Sequence, residues 1–241
     1  MARARGKLVQ PVVSENAVEP PARLADAPVL PAVGAHMTLD GVRAEVYARA
    51  HLPTRHGTFH LLVLHTNIDD KEHVALVRGP VGQAPRADSV LVRLHSECLT
   101  GDVLSSLRCD CRDQLEMAMV QLAAAPMGVL LYLRQEGRGI GLGNKVRAYA
   151  LQEAGLDTVE ANEHLGFDDD MRDYRVAAVS LKLLGIDGVT LATNNPRKIA
   201  GLQAHGVRVV GRVPLVAEQN PFNAAYLATK RSKAGHLLPD G

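Results

Sequence analysis

Val189-Thr-Leu-Ala-Thr193-Asn-Asn-Pro-Arg-Lys198-Ile-Ala-Gly-Leu-Gln-Ala-His-Gly206-Val-Arg-Val-Val210 is the stretch on which the reading of the fold turns. Val189 to Thr193 is a short run of apolar and β-branched residues, as in a buried strand. Asn195 and Pro196 then mark a helix start, with Asn as N-cap and Pro at the first helical position, where its missing N–H costs nothing. The helix stops near Gly206, and Val207 to Val210 reads as the next strand. Strand, capped helix and strand in direct succession belong to an α/β sheet.

The same alternation continues upstream. Gly128 to Leu133 is a short buried strand, and Gln114 to Ala124 has helical spacing through Leu115, Met119 and Leu122. Asn144 to Ala154 and Met171 to Leu184 are helices, the second closed by Gly185. Nearer the N-terminus, Val42, Ala44, Val46, Ala48 and Ala50 alternate as in a strand with one buried face. Thr58 to His65, His73 to Arg78 and Val90 to His95 are further strands, punctuated by Gly57 and Gly79-Pro80. The expected fold class is α/β, with an α+β-like mixed sheet, in a single domain over residues 41–241. Residues 1–40 carry Pro11, Pro20, Pro21, Pro28 and Pro31 without a sustained period, and are expected to be a disordered extension.

Composition narrows the function classes. The 241 residues are 46% apolar and 22% charged, ordinary for a soluble globular chain. A formal charge of +1, no Trp and 3% aromatic residues argue against a nucleic-acid binder, which needs a basic surface and stacking platforms. No apolar run approaches the length of a bilayer span, and the basic start Met1-Ala-Arg-Ala-Arg-Gly-Lys7 is followed by no apolar signal core. No membrane partner and a cytoplasmic location are therefore expected. The three cysteines, Cys98, Cys109 and Cys111, fall in one window, which suits a metal site better than a disulfide framework.

Cys98-x10-Cys109-x-Cys111 supplies three soft thiolate ligands of the kind zinc favours. Three ligands leave one tetrahedral position open, the pattern of catalytic rather than structural zinc. The bland alternative is three small buried residues. Arg134-Gln-Glu-Gly-Arg-Gly-Ile-Gly-Leu-Gly-Asn-Lys-Val-Arg147 is the second constellation. Its alternating Gly137, Gly139, Gly141 and Gly143 argue against a regular helix and for close approach to a ligand, while Arg134, Arg138, Lys145 and Arg147 suit phosphate. It fits neither the dinucleotide fingerprint nor the P-loop, so a flexible surface loop is the alternative. Thr193-Asn-Asn-Pro-Arg-Lys198, at a strand end where a helix begins, is a third candidate for an anion, or simply a capped turn. Asp168 to Asp173 reads as an acidic helix start, or as a fourth site element.

Together these segments resemble GTP cyclohydrolase II, over about Ala48 to Leu238. The resemblance rests on Leu52-Pro-Thr-Arg-His-Gly-Thr-Phe59, Arg93-Leu-His-Ser-Glu-Cys-Leu-Thr-Gly-Asp102, Arg108-Cys-Asp-Cys111, Arg134 to Leu142, Asn144-Lys-Val-Arg-Ala-Tyr149, Asp157-Thr-Val-Glu-Ala-Asn162, Leu191 to Pro196 and Gly235-His-Leu-Leu238. It implies zinc on Cys98, Cys109 and Cys111. It implies GTP contacts from Arg93, Leu94, His95, Ser96, Glu97, Gln114, Glu136, Gly137, Arg138, Thr158, Thr193 and Lys198. Asp170 would be the proton acceptor. Arg172 is the position the family proposes as nucleophile on the α-phosphate, although a guanidinium is easier to understand as an electrostatic stabiliser there. Tyr149 falls where a family tyrosine is tied to ring opening. The implied reaction converts GTP to a diaminopyrimidine, formate and pyrophosphate in riboflavin biosynthesis, with Mg²⁺ on the triphosphate, in a homodimer.

Two departures stand out. Arg112 occupies a position where the family usually has Gly, which predicts strain if the backbone there has positive φ. Gly143 replaces a larger apolar residue. Residues 1–40 are too short to be the dihydroxybutanone-phosphate synthase domain fused in bifunctional relatives. Two rival readings remain open at this level: a partial cyclohydrolase that keeps the formyl group, and a non-catalytic zinc- and nucleotide-binding module.

Overall fold

The computed structural model describes residues 27–83, 90–168, 170–232 and 235–237, with the side chains of Thr158 and Ala225 excepted. Among these residues eight strands form one sheet in the order β1-β2-β3-β4-β6-β5-β7-β8. They are β1 (His36–Leu39), β2 (Val42–Thr54), β3 (Gly57–Thr66), β4 (His73–Arg78), β5 (Val90–Ser96), β6 (Gly128–Leu133), β7 (Gly188–Ala192) and β8 (Arg208–Val213). β1 to β4 and the β4–β6 pair are antiparallel. β6, β5, β7 and β8 are parallel neighbours. The mixed pairing expected from the sequence is present. Antiparallel hairpins need only tight turns, whereas the parallel half needs helical crossovers.

Among the described residues six α-helices accompany the sheet: α1 (Cys111–Ala124), α2 (Gly141–Glu153), α3 (Thr158–His164), α4 (Arg175–Leu183), α5 (Pro196–Ala204) and α6 (Ala224–Ser232). The period-2 alternation of the strands divides the core between the two sheet faces. Val129, Leu131 and Leu133 point to one face, where they join Val92, Leu94, Val176, Val179 and Leu181 under α4. Leu130 points to the other, with Phe59, Leu76, Met119 and Leu122 under α1. Asn195 caps α5 by accepting the Arg197 N–H at 2.9 Å, with Pro196 in the first turn, as its sequence dictates.

Several expectations need correcting. Of the segment 1–40 expected to be an extension, residues 1–26 lie outside the described residues, but His36–Leu39 form β1. A four-residue strand with three exposed positions has too little apolar pattern to be seen in sequence. Gly137, Gly139 and Gly141 have φ of +63°, +98° and +84°, so the helix is interrupted there as expected, but α2 takes in Gly143, which the alternation does not exclude from a helix. α4 begins at Arg175 rather than near Met171, because Asp170 and Asp173 each fold back onto the backbone N–H two residues on. α3, with its Asp157–Glu160 capping box, and α6 were not anticipated as helices. Arg112 lies in the first turn of α1 without positive φ, so the strain expected there does not arise.

Candidate metal centre and anion cleft

The carboxyl ends of β5, β6 and β7 open on one side, where ligands of α/β sheets collect. A cleft of about 1060 Å³, counting its open mouth, lies there. The β5 end supplies Arg93 and His95 to Cys98, the β6 end leads into Glu136 to Arg138, and the β7 end supplies Thr193 to Asn195.

The three cysteines meet in this cleft. Cys98 follows β5 and precedes one π-helical turn, Leu99–Val103, while Cys111 opens α1. Their sulfurs lie within 4.8 Å of one another, and Cys98 and Cys109 are 3.7 Å apart. Zinc–thiolate bonds of about 2.3 Å in a tetrahedron set a sulfur separation of about 3.8 Å, so the donor set fits zinc. Gly101 leaves the room: a Cβ there would lie 2.8 Å from Cys109 Sγ and 3.1 Å from Cys98 Sγ. Hydrogen bonds from Cys109 and Cys111, aided by Lys145, hold the Cys98 thiol far below its usual range. Cys109 is eased by Cys111, but its bond to Cys98 and its burial prevail and push it up to about 11. Cys111 is raised further by both neighbours. One negative charge crowded among three sulfurs is the condition a divalent cation relieves. Among the described residues no fourth His, Cys, Asp or Glu joins the group, so the fourth position stays open.

Polar contacts tie this centre to its surroundings. The Asp102 carboxylate accepts the Cys98 N–H at 3.0 Å and the Tyr132 hydroxyl at 2.8 Å, and pairs with His95 Nε2 at 3.0 Å. His95 is buried and stacks on Tyr132, and burial lowers its pKa. Glu136 Oε2 accepts the Leu99 N–H at 2.6 Å, while its Oε1 accepts the Lys145 ammonium at 2.8 Å. The same ammonium reaches Cys98 Sγ at 3.1 Å. The Tyr149 hydroxyl is 3.4 Å from Thr100 Oγ1, itself 3.6 Å from Cys98 Sγ.

Beyond the thiols the wall is cationic. Among the described residues Arg93, Arg138, Lys145, Arg172, Lys198 and Lys230 line the cleft against two carboxylates, Glu97 and Glu136. Asp170 matches Arg172 from behind with two side-chain bonds of 2.7 and 2.6 Å, and Asp110 matches Lys230 at 2.5 Å. Arg93 is held by neutral acceptors, the Ala192 carbonyl and Gln114 Oε1, and burial lowers its pKa to about 10. Lys198 donates to the Leu94 carbonyl at 2.6 Å. Burial, then Arg93, Arg172 and Lys230, push its ammonium well below an ordinary lysine. Two buried cations with neutral partners leave the cleft short of negative charge.

Most residues named from sequence converge. Arg93, His95, Ser96, Glu97, Gln114, Glu136, Gly137, Arg138, Tyr149, Arg172, Thr193 and Lys198 all line the cleft with the three cysteines. Asp170 stands directly behind Arg172. Leu94 does not join them, because its side chain is fully buried in the core and its carbonyl is taken by Lys198. Thr158 opens α3, and its side chain lies outside the described set. Sequence reasoning missed Asp102 and Asp110 as carboxylate partners, although both stand inside the quoted cysteine motifs. It also missed Tyr226 and Lys230 of α6, an i,i+4 pair that gives no local sign of facing a site.

Comparison with known proteins gives the same picture. The sequence pattern of the family described as GTP cyclohydrolase II matches residues 45–214. A curated "Riboflavin biosynthesis protein RibBA" of Bacillus mycoides (strain KBAB4) is 58% identical over 187 residues, covering 78% of this chain and 46% of that one. A protein of the same name from Bacillus cereus (strain ATCC 14579) is 55% identical over 203 residues, covering 84% and 49%. The chain thus spans about half the length of the curated relatives it matches. A two-domain 3,4-dihydroxy-2-butanone 4-phosphate synthase from A. baumannii aligns over 73% of this chain and 40% of that one, with a TM-score of 0.39 and 19% identity, too loosely to bear on fold or function. The family's pattern runs through the sheet from β2 to β8, the thiol cluster and the cationic wall apart from Lys230, and the chain belongs to the GTP cyclohydrolase II family.

Proposed function

We propose that this chain hydrolyses GTP to 2,5-diamino-6-(5-phospho-ribosylamino)pyrimidin-4(3H)-one, formate and pyrophosphate, the first committed step of riboflavin biosynthesis, with one zinc ion on Cys98, Cys109 and Cys111. One observation carries the reading: an open three-thiol centre and a wall of cations, three of them buried, share a single cleft. A substrate that offers a polyphosphate to one wall and a hydrolysable ring to the other matches GTP. When bound, zinc would polarise the bonds to be hydrolysed and acidify a water molecule.

The chain's own groups divide the remaining work. Arg93, Arg138 and Lys198 attract and fix the triphosphate, which brings Mg²⁺ with it. The phosphate oxygens of the substrate and water would be the main ligands of that ion. Arg172 stabilises charge developing on the α-phosphate. Burial alone would lower its pKa, but the bonds to Asp170 keep the guanidinium firmly protonated, which argues against a nucleophilic role. Asp170 is held below the ordinary carboxylate range by the same bonds against the opposing effect of burial, so it takes a proton only once Arg172 turns toward phosphate. Glu97 and His95 orient water and the base edge beside Cys98. Tyr149, joined to the thiol side through Thr100, supports the full reaction with formate release. A cytoplasmic homodimer completes the proposal.

The test is metal reconstitution. Chelator-stripped protein given GTP and Mg²⁺ should release no formate, and stoichiometric zinc should restore release. Formate production by protein free of zinc would refute the reading.

A further inference from the structure

The Gly235-His-Leu segment has a definite place in the fold that the site described so far does not use. After α6 the chain turns at Gly235, whose φ of +63° suits a residue without a side chain. The His236 N–H donates to the Lys230 carbonyl at 3.0 Å, and the Leu237 N–H donates to the Asn194 carbonyl at 2.8 Å. Asn194 belongs to the β7–α5 turn, between Thr193 and the helix cap Asn195. Two main-chain bonds therefore pin His236 between α6 and that turn.

From there the imidazole lines the cleft together with Arg172, Lys198 and Lys230. Its Nδ1 is buried and has no hydrogen-bond partner among the described residues. Buried polar atoms in native sites are nearly always paired, and one left over in a cleft marks where a ligand completes the set. The surroundings identify the ligand's chemistry. Burial, then Lys230, Lys198, Arg138 and Arg172, lower the His236 pKa to about 3, so the ring faces the empty cleft uncharged and surrounded by positive potential. The missing group is an anion that accepts hydrogen bonds.

We propose that Gly235 to Leu237 form part of the nucleotide site, with His236 donating a hydrogen bond to a phosphoryl oxygen of the bound triphosphate. This rests on the GTP reading above and extends it to a segment beyond the sheet and its crossovers. The two bonds to Lys230 and Asn194 explain how this segment is held rigidly enough to contribute. A neutral imidazole N–H adds a directed donor without adding charge to a wall already rich in it.

The experiment measures binding to the zinc-loaded full chain by equilibrium dialysis, with three probes: GTP, inorganic tripolyphosphate and guanosine. His236→Ala should weaken GTP and tripolyphosphate about tenfold or more and leave guanosine unchanged. Its zinc content should stay at the wild-type level. His236→Asn, which keeps a donor, should recover part of the loss, and it decides the matter should the Ala variant lose its zinc. Wild-type affinity of both variants for GTP and tripolyphosphate would overturn the proposal and leave the GTP reading standing. A loss shared by GTP and guanosine, with tripolyphosphate unaffected, would move His236 to the base and also overturn it. Failure of the wild-type chain to bind GTP while it binds tripolyphosphate would sink the GTP reading instead.

Discussion

Placing a methyl group at Gly101 probes the metal centre where its geometry is tightest. Alanine's Cβ would sit 2.8 Å from Cys109 Sγ, 3.1 Å from Cys98 Sγ and 3.1 Å from the Cys111 Cβ. Ordinary non-bonded contacts of carbon are about 3.5–4.0 Å, so at least one sulfur must move by roughly 0.5 Å or more. A zinc site tolerates about 0.2 Å in its ligand distances. The φ of Gly101 is not positive, so alanine meets no backbone strain and the effect falls on the thiols. Displacing one ligand should weaken zinc by at least the 10–100-fold typical of disturbed supporting groups. Gly143→Ala is the control, because its Cβ would meet nothing within 4 Å and it lies inside α2. There alanine should bind zinc normally and stabilise the helix by up to about 1 kcal/mol. Competition with a zinc chelator, run beside thermal melts of both variants, reads the difference. Wild-type zinc affinity in Gly101→Ala would refute the convergence of the three sulfurs on one ion.

Three further outcomes are expected. Lys145→Met keeps the apolar stem but removes the ammonium shared by Cys98 and Glu136, and chelator competition should show zinc held about 10–100-fold more weakly. Unchanged affinity would contradict it. Arg172→Lys loses the paired bonds to Asp170 and should lower kcat for pyrophosphate release about 100-fold at normal zinc content. A covalent nucleotide adduct on wild-type Arg172, caught by rapid quench and mass spectrometry, would show the nucleophilic role instead. Stability should fall in two stages on acidification. Burial lowers the folded pKa of His73 and His95, so the stability they confer is complete above about pH 6.5 and declines as pH falls below it. Asp110 and Asp170 are held below the usual range by Lys230 and Arg172 against burial, so their contribution is complete above about pH 4 and is lost as pH falls through the lowered values. Urea unfolding midpoints between pH 8 and 3 check this, and a midpoint flat from pH 7 to 5 would contradict the first stage.

Features set by local chemistry were legible in the sequence. Asn195-Pro196 specifies a capped helix by itself, and the apolar run Gly128–Leu133 coincides with β6. Cys98, Cys109 and Cys111 converge because the carboxyl end of β5 lies beside the start of α1, which their spacing allows but does not require. What the sequence concealed depends on distant neighbours. β1 exists through its pairing with β2 and not through its own pattern. Gly143 sits inside α2 against its intrinsic preference, because α2 docks beside the Glu136–Gly139 turn. Lys230 and Asp110 are 120 positions apart and look like ordinary surface charges until the fold buries them as a pair. Leu94, flanked by residues of the cleft wall, faces the opposite way because successive strand side chains alternate.

A product balance decides whether the cleft performs the proposed reaction. Zinc-loaded protein is incubated with GTP and Mg²⁺, and pyrophosphate, formate and the pyrimidine are quantified by mass. Pyrophosphate and formate in equal amounts, with the diaminopyrimidine, is the expected result. Pyrophosphate without formate, or bound GTP without either product, would contradict it.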